Sequence, residues 1–537
     1  MMTAARPGGR AVFFLEKMQG GRNPLPQVGS YMKQIFAKYS RDWSLPLGPV
    51  NSPAAAGRAM ARPVGCRFSP KINVPMKAFP PHPLTLLASL CLLGLTWFYV
   101  GCGDSPQQQQ ATLNPTPVVR TVANGQVTIP KLLPRHEQIG TAKEQETMTQ
   151  TYHQLVQTIA ADPTDYRSRI KLAQVYMVEA RATGEHGHYY PATLTVLDEI
   201  LAAHPPQDVV FATKSLKASV MLSLHEFQQA KVLAESAIAL NGHNALIYGS
   251  LVDAHVELGN YEEAVKMADK MVSMRPDLRS YSRISYLREI HGDMPGAIKA
   301  MKMAIQAGYP GYEDRAWCRL TLGDLYQSLG QLDSAKLQYD LALAERPAYP
   351  FAKAARAQVY EKQGKLQMAE NELRAAIETI PEVGFYEQLA GLYQATERFA
   401  ESQDLIADIM AMLADDEAAG HRMGMAYASV YLHLVGNLDK AFAYAQAEYE
   451  RRPRNIEVNR LMAEILYQQG HTEAARQYVE EAMRTGSQDP ELLCTAGVIY
   501  AALDQADKGQ PLIEQSFALN PHQDHSLVPL ARQLIDG

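Results

Sequence analysis

Nowhere in its 537 residues does the chain carry a phosphate-cradling GxxxxGK(S/T) loop, a dinucleotide fingerprint GxGxxG or a nucleophile elbow GxSxG. Those patterns hold backbone N–H groups or an exposed serine where a phosphate or acyl group must react. Without them the usual sequence grounds for nucleotide or acyl-transfer chemistry are gone. Positive charge is also scarce in most of the chain. Eleven basic residues against Glu16 and Asp42 give residues 1–75 a charge of +9, and Lys77 is the sole charge of residues 76–101. The remainder therefore carries −16 within a total of −6. A body that acidic repels phosphate backbones, so nucleic acid is not expected as its ligand. Cysteine is rare too, with five in all: Cys66, Cys91, Cys102, Cys318 and Cys494.

Hydrophobic residues at 47% and charged residues at 20% fit a folded chain. Its length exceeds what one compact core supports, so several domains or a repeat array are expected.

One long apolar run stands near the front. "MKAFPPHPLTLLASLCLLGLTWFYVGC" begins at Met76 with a lysine at once, and Leu84 to Val100 form seventeen apolar or neutral residues before Gly101-Cys102. Residues 76–101 read as a signal peptide or membrane anchor. Residues 102–140 begin "CGDSPQQQQATLNPTP" and read as a polar Gln/Pro linker. A small residue before cysteine at the end of such a run resembles the lipobox of bacterial lipoproteins. That resemblance implies lipidation of Cys102 and a mature chain starting there, although Tyr99 stands where the family usually has leucine. An uncleaved anchor is the alternative, since seventeen residues is at the short edge of spanning length. Both readings imply a membrane-anchored body in the cell envelope, facing the periplasm or the exterior. Residues 1–75 are then expected to be disordered or to lie upstream of a true start at Met76. A basic cytoplasmic tail obeying the positive-inside rule and a transit peptide are the other readings.

Beyond residue 140 the text is periodic. Gly259, Ala264 and Pro276 recur as Gly330, Ala335 and Pro347, as Gly364, Ala369 and Pro381, and as Gly436, Ala441 and Pro453. The small residue alone falls at Ala230, Ala264, Ala297, Ala335, Ala369, Ser402, Ala441, Ala475 and Gly509, mostly 33 or 34 residues apart. Before the glycine comes a helical stripe, as in Leu322, Leu325, Tyr326 and Leu329. Glycine ends that helix in a left-handed conformation. The alanine lets a second, antiparallel helix approach closely, and proline stops it. A helix pair of this kind cannot bury its own apolar faces, so neighbours must stack. The fold class expected is all-α, an α-solenoid of stacked helix–turn–helix units over residues 141–521, with residues 522–537 as a C-terminal capping helix.

Gly–aromatic–Ala–Pro markers at a 34-residue period resemble the tetratricopeptide repeat (TPR), over about ten units. The stretches "GEHGHYY", "AGYPGYED" and "MLADDEAAG" read as insertions. In the TPR family first helices line a concave groove that takes extended peptides or partner helices. The resemblance therefore implies a partner-binding wall that includes Arg279, Tyr286, Trp317, Leu320, Asp324, Gln327, Phe351 and Gln358. Trp317 and Phe351 are alternatively packing residues. The asparagines of the carboxylate-clamp subtype are missing, since Ser250 and Asp253 occupy their places.

Chemistry beyond binding has little support. His225-Glu226 opens like a zinc-protease motif, but Gln229 stands where the second histidine belongs. His186 and His188 could share a metal in a flexible loop, which keeps open an enzyme or enzyme subunit built there, though no cysteine or aspartate ligand is near in sequence. Cys318 and Cys494 lie some five repeats apart and read as small buried residues without a disulfide. The expectation is a non-catalytic, membrane-anchored TPR scaffold in the cell envelope, with protein or peptide partners, no cofactor and no metal.

Overall fold

The computed structural model describes residues 129–536; 77% of those residues are helical, and there is no strand among them. The signal or anchor segment, Cys102 and the rest of residues 1–128 lie outside the described residues. A leading helix, Ala142–Ala161, is followed by ten antiparallel pairs, from Tyr166–Thr183 with His186–Ala202 to Pro490–Ala502 with Ala506–Leu519. The helix Val528–Asp536 follows. Its Ala531, with Leu527, packs on Cys494, Val498 and Ile513. The architecture is a TPR-like α-solenoid.

The recurring marks act as the sequence suggests. Gly259, Gly330, Gly364, Gly436 and Gly470 all take φ between +66° and +82°. Three repeats lack that glycine, yet keep the same turn: His225, Glu397 and Asp504 adopt φ of 58°, 60° and 58°. Packing of the two helices thus imposes a left-handed residue whether or not glycine is there to adopt it cheaply. The small residue five positions later is fully buried at Ala230, Ala264, Ala297, Ala335, Ala369, Ser402, Ala441 and Ala475. There the paired helices touch, with no room for a longer side chain.

Two of the three insertions are helical. Gly184 closes one helix at φ 76°, and "HGHYY" begins the next without a loop, its Tyr189 and Tyr190 buried in the core. The "MLADDEAAG" segment prolongs Phe399–Ala418 to 20 residues. Burial of aromatic and leucine side chains outweighs the glycines that made both segments look loose.

Neighbour-to-neighbour stacking, the expectation for a solenoid, is only part of the packing. The array winds so tightly that segments about six repeats apart meet. Arg422 Nε donates to Glu226 at 2.7 Å, and Arg452 pairs with Glu257 at 2.7 Å and with Glu448 at 2.9 Å. Asn455 donates to the Glu257 carbonyl at 3.0 Å, and the Ile456 amide to Tyr261 Oη at 3.0 Å. Farther along, Lys362 reaches Asp524 at 2.8 Å. Superhelical turns therefore seal against one another, and stability is shared across turns as well as along the array.

Residues 129–140, read as the end of the linker, are not helical but are tied to the first repeats. The Pro130 carbonyl accepts from Tyr152 Oη at 2.9 Å and from Tyr176 Oη at 2.6 Å. Arg135 meets the fully buried Glu179 through two nitrogens.

Candidate functional site

First helices face the inside of the superhelix, as TPR geometry requires, and there they line a half-open cavity of about 660 Å³. Its wall is drawn from Leu278–Ile290, Glu313–Ser328, Pro350–Lys362 and Val383–Ala395 on one turn, and from Ile456–Gln468 and Pro490–Ala502 on the next. Tyr286, Gln327 and Gln358 all line it, and Gln327 Nε2 donates to Gln358 Oε1 at 2.7 Å. Three of the eight residues read from the sequence thus meet at one surface.

The other five lie around that surface rather than on the cavity. Arg279 opens its helix beneath the Asp277 cap, whose side chain accepts the Arg279 amide at 3.1 Å. Asp324 accepts from Tyr339 Oη at 2.8 Å. Trp317 is half-buried among Leu278, Met294 and Cys318, and Leu320 bridges two small core clusters. Phe351 packs edge-on against Phe385, ring centroids 5.4 Å apart, with Tyr349 at 5.5 Å. Cys318 and Cys494 are free and buried. Burial pushes both thiols up, that of Cys494 to about 11.

The cavity wall is acidic. Glu289, Glu361, Glu457, Asp489, Glu491 and Asp524 contribute six carboxylates, against Lys362 and Arg460. Both cations are already engaged: Lys362 with Asp524, and Arg460 with Glu457 and Glu491 at 3.3 Å each. Burial, with the Asp524 charge behind it, raises the Glu361 carboxyl above its ordinary value. Nearby, on or beside Val383–Ala395, burial pushes Glu382 and Glu387 up to about 7 each. Asp416 adds to the effect on Glu382, while His433 partly opposes it at Glu387. Nothing in the repeat pattern marks these carboxylates, because polar residues on first helices look like any solvated face.

His186 and His188 do not act together. His188 Nε2 lies 2.9 Å from the Lys131 carbonyl. His186 turns instead toward Asp416 and His421, six repeats away, its Nδ1 3.8 Å from Asp416 Oδ1. Burial drives His186 down to about 4 and His421 down to about 3, and lifts Asp416 to about 6. The aspartate absent from the neighbouring sequence is supplied by the fold.

Family patterns agree with the repeat. Tetratricopeptide-repeat family patterns match residues 221–288 and 432–493, and a second tetratricopeptide-repeat pattern matches residues 318–349. The chain carries tetratricopeptide repeats. Among solved structures it is similar to the human IFIT1 dimer with PPP-AAAA, at 12% identity and TM-score 0.38, over 71% of this chain and 98% of that one. A tetratricopeptide repeat protein from Parabacteroides merdae is 16% identical with TM-score 0.30, over 48% and 97% of the two chains. PilW, described as a type IV pilus biogenesis factor, is 16% identical with TM-score 0.32, over 38% and 93%. No curated protein matches the sequence significantly.

Proposed function

We propose that the chain is a non-catalytic scaffold, anchored to a membrane of the cell envelope, that holds extended protein segments against the inner wall of its superhelix. The observation that carries this reading is the concave wall around Tyr286, Gln327 and Gln358, whose amides and ring edge can hold a peptide backbone. Its excess of carboxylates selects a cationic segment, because a basic side chain entering there restores the balance that Lys362 and Arg460 leave incomplete. Anchoring is supported by the apolar run Leu84–Val100 and the lipobox-like Gly101-Cys102.

A photocrosslinking residue at Gln358 tests the wall, with the exposed outer position Glu378 as control. Capture of a basic partner at Gln358 but not at Glu378, abolished by Glu361→Lys with Glu457→Lys, is the expected outcome. Equal capture at both positions, or capture indifferent to the charge reversal, would sink the proposal. The anchor is tested separately: Cys102→Ala should accumulate as a larger, unlipidated precursor.

A further inference from the structure

We propose that His186, Asp416 and His421 form a divalent-metal site of the zinc type, which fastens the first repeat to the helix six repeats later. Each residue offers one ligand atom, and the three atoms lie within 4.8 Å of one another. They come from separate places in the chain: the first turn of His186–Ala202, the last turn of Phe399–Ala418, and the segment just beyond it. His186 Nδ1 and His421 Nδ1 stand 3.8 and 3.9 Å from Asp416 Oδ1, too far for hydrogen bonds but on the same carboxylate oxygen. Among the described residues, those two imidazoles are the ion partners of Asp416.

The donor chemistry narrows the occupant. Two imidazoles and one carboxylate suit zinc and its transition-metal neighbours, whereas calcium and magnesium prefer oxygen alone. Zinc bonds of about 2.0–2.1 Å in a tetrahedron put ligand atoms about 3.3 Å apart. The three atoms must then close by at most about 1.5 Å, which small side-chain rotations provide. A solvent oxygen completes the tetrahedron.

The surroundings hold the ligands in place. His421 is 5% exposed, and its Nδ1 lies 3.2 Å from the Asp416 carbonyl. That contact holds the His421 ring beside the Asp416 side chain, the kind of outer-sphere support usual for metal-bound histidine. His225 acts as a positioning residue: its Nδ1 lies 2.9 Å from the Arg422 carbonyl, which pins the segment that carries His421. The Arg422 amide in turn donates to the Leu224 carbonyl at 3.1 Å. A rival reading is a packed aromatic cluster, since Tyr190 lies 5.3 Å from the His186 ring and 5.5 Å from that of His421. Packing alone gives no reason for a carboxylate between two imidazoles.

The test uses the full chain, stripped with chelator and titrated with zinc chloride by calorimetry, with bound metal counted by mass spectrometry. One equivalent is expected in the wild type, with a melting point raised by the metal. Asp416→Asn and His421→Ala should each bind at least tenfold more weakly and lose that rise, while His188→Ala should match the wild type. Asp416→Asn, nearly isosteric, decides the matter if His421→Ala fails to fold. Equal zinc binding by the wild type and Asp416→Asn overturns the site, and so does a loss in His188→Ala as large as that in Asp416→Asn.

Discussion

Replacing Gly259 by alanine offers a direct measure of how much the sealed superhelical turns contribute. Gly259 has φ +74°, and a Cβ built there would overlap the Arg454 carbonyl group and lie 2.8 Å from Arg454 Cβ. Gly364, at φ +70°, is the same position in another repeat, with nothing within 4 Å of its Cβ. Both substitutions force alanine into the left-handed region, which costs about 1–2 kcal/mol, and both stiffen the unfolded chain equally. Only Gly259→Ala must also push the next turn away. That displacement strains the bond from Asn455 to Glu257, that from Ile456 to Tyr261, and the 2.6 Å bond from Arg484 to the Gly259 carbonyl. Each such bond contributes a net ~0.5–1.5 kcal/mol, and more where a buried partner is left unsatisfied.

Gly259→Ala should therefore cost about 2–3 kcal/mol more than Gly364→Ala, by adding two or three such bonds. Denaturant melts of both variants give the difference, and hydrogen exchange locates it. Protection should fall together around residues 257–261 and 452–456, although nearly 200 residues separate them in the chain. Equal costs for the two variants, or loss confined to residues 257–261, would refute a sealed superhelix.

Other outcomes follow from strain and from burial of charge. Glu397 is exposed at φ 60°, so Glu397→Gly should stabilise the protein by about 0.5–1 kcal/mol in a thermal or urea melt; destabilisation would mean that its side chain holds the turn. Glu387 has a buried oxygen without a hydrogen-bond partner, and burial raises its folded pKa to about 7, above the ordinary 4.5. The native state thus holds a proton that the unfolded chain has released, and the stability this lends is complete below about 4.5 and lost as pH rises through 7. Glu387→Gln should match the wild type near pH 4.5 and exceed it by about 1–2 kcal/mol at pH 8, after allowance for partial solvation. A gap that does not change with pH would show that Glu387 is ionised throughout.

Local rules were enough to settle the repeat. A glycine that tolerates positive φ, an alanine five residues on and a proline at the end specify one helix pair, and their period specifies the stack. Even where the glycine is replaced, at His225, Glu397 and Asp504, the period alone kept the unit legible, because the packing of its neighbours leaves the turn no other conformation. The wall of the inner cavity was legible in part. Tyr286, Gln327 and Gln358 fall on it because first-helix positions at a 34-residue period share a face, whereas Trp317 and Phe351 look the same in sequence but pack sideways into neighbouring helices. Sequence could not foretell which turn meets which. That depends on the small rotation between successive repeats, a sum of many side-chain packings that no short motif encodes. The rotation brings Arg452 to Glu257, acidic first helices around one cavity, and Asp416 and His421 to His186. Helices were written residue by residue, and the sites between turns emerged only once the superhelix closed on itself.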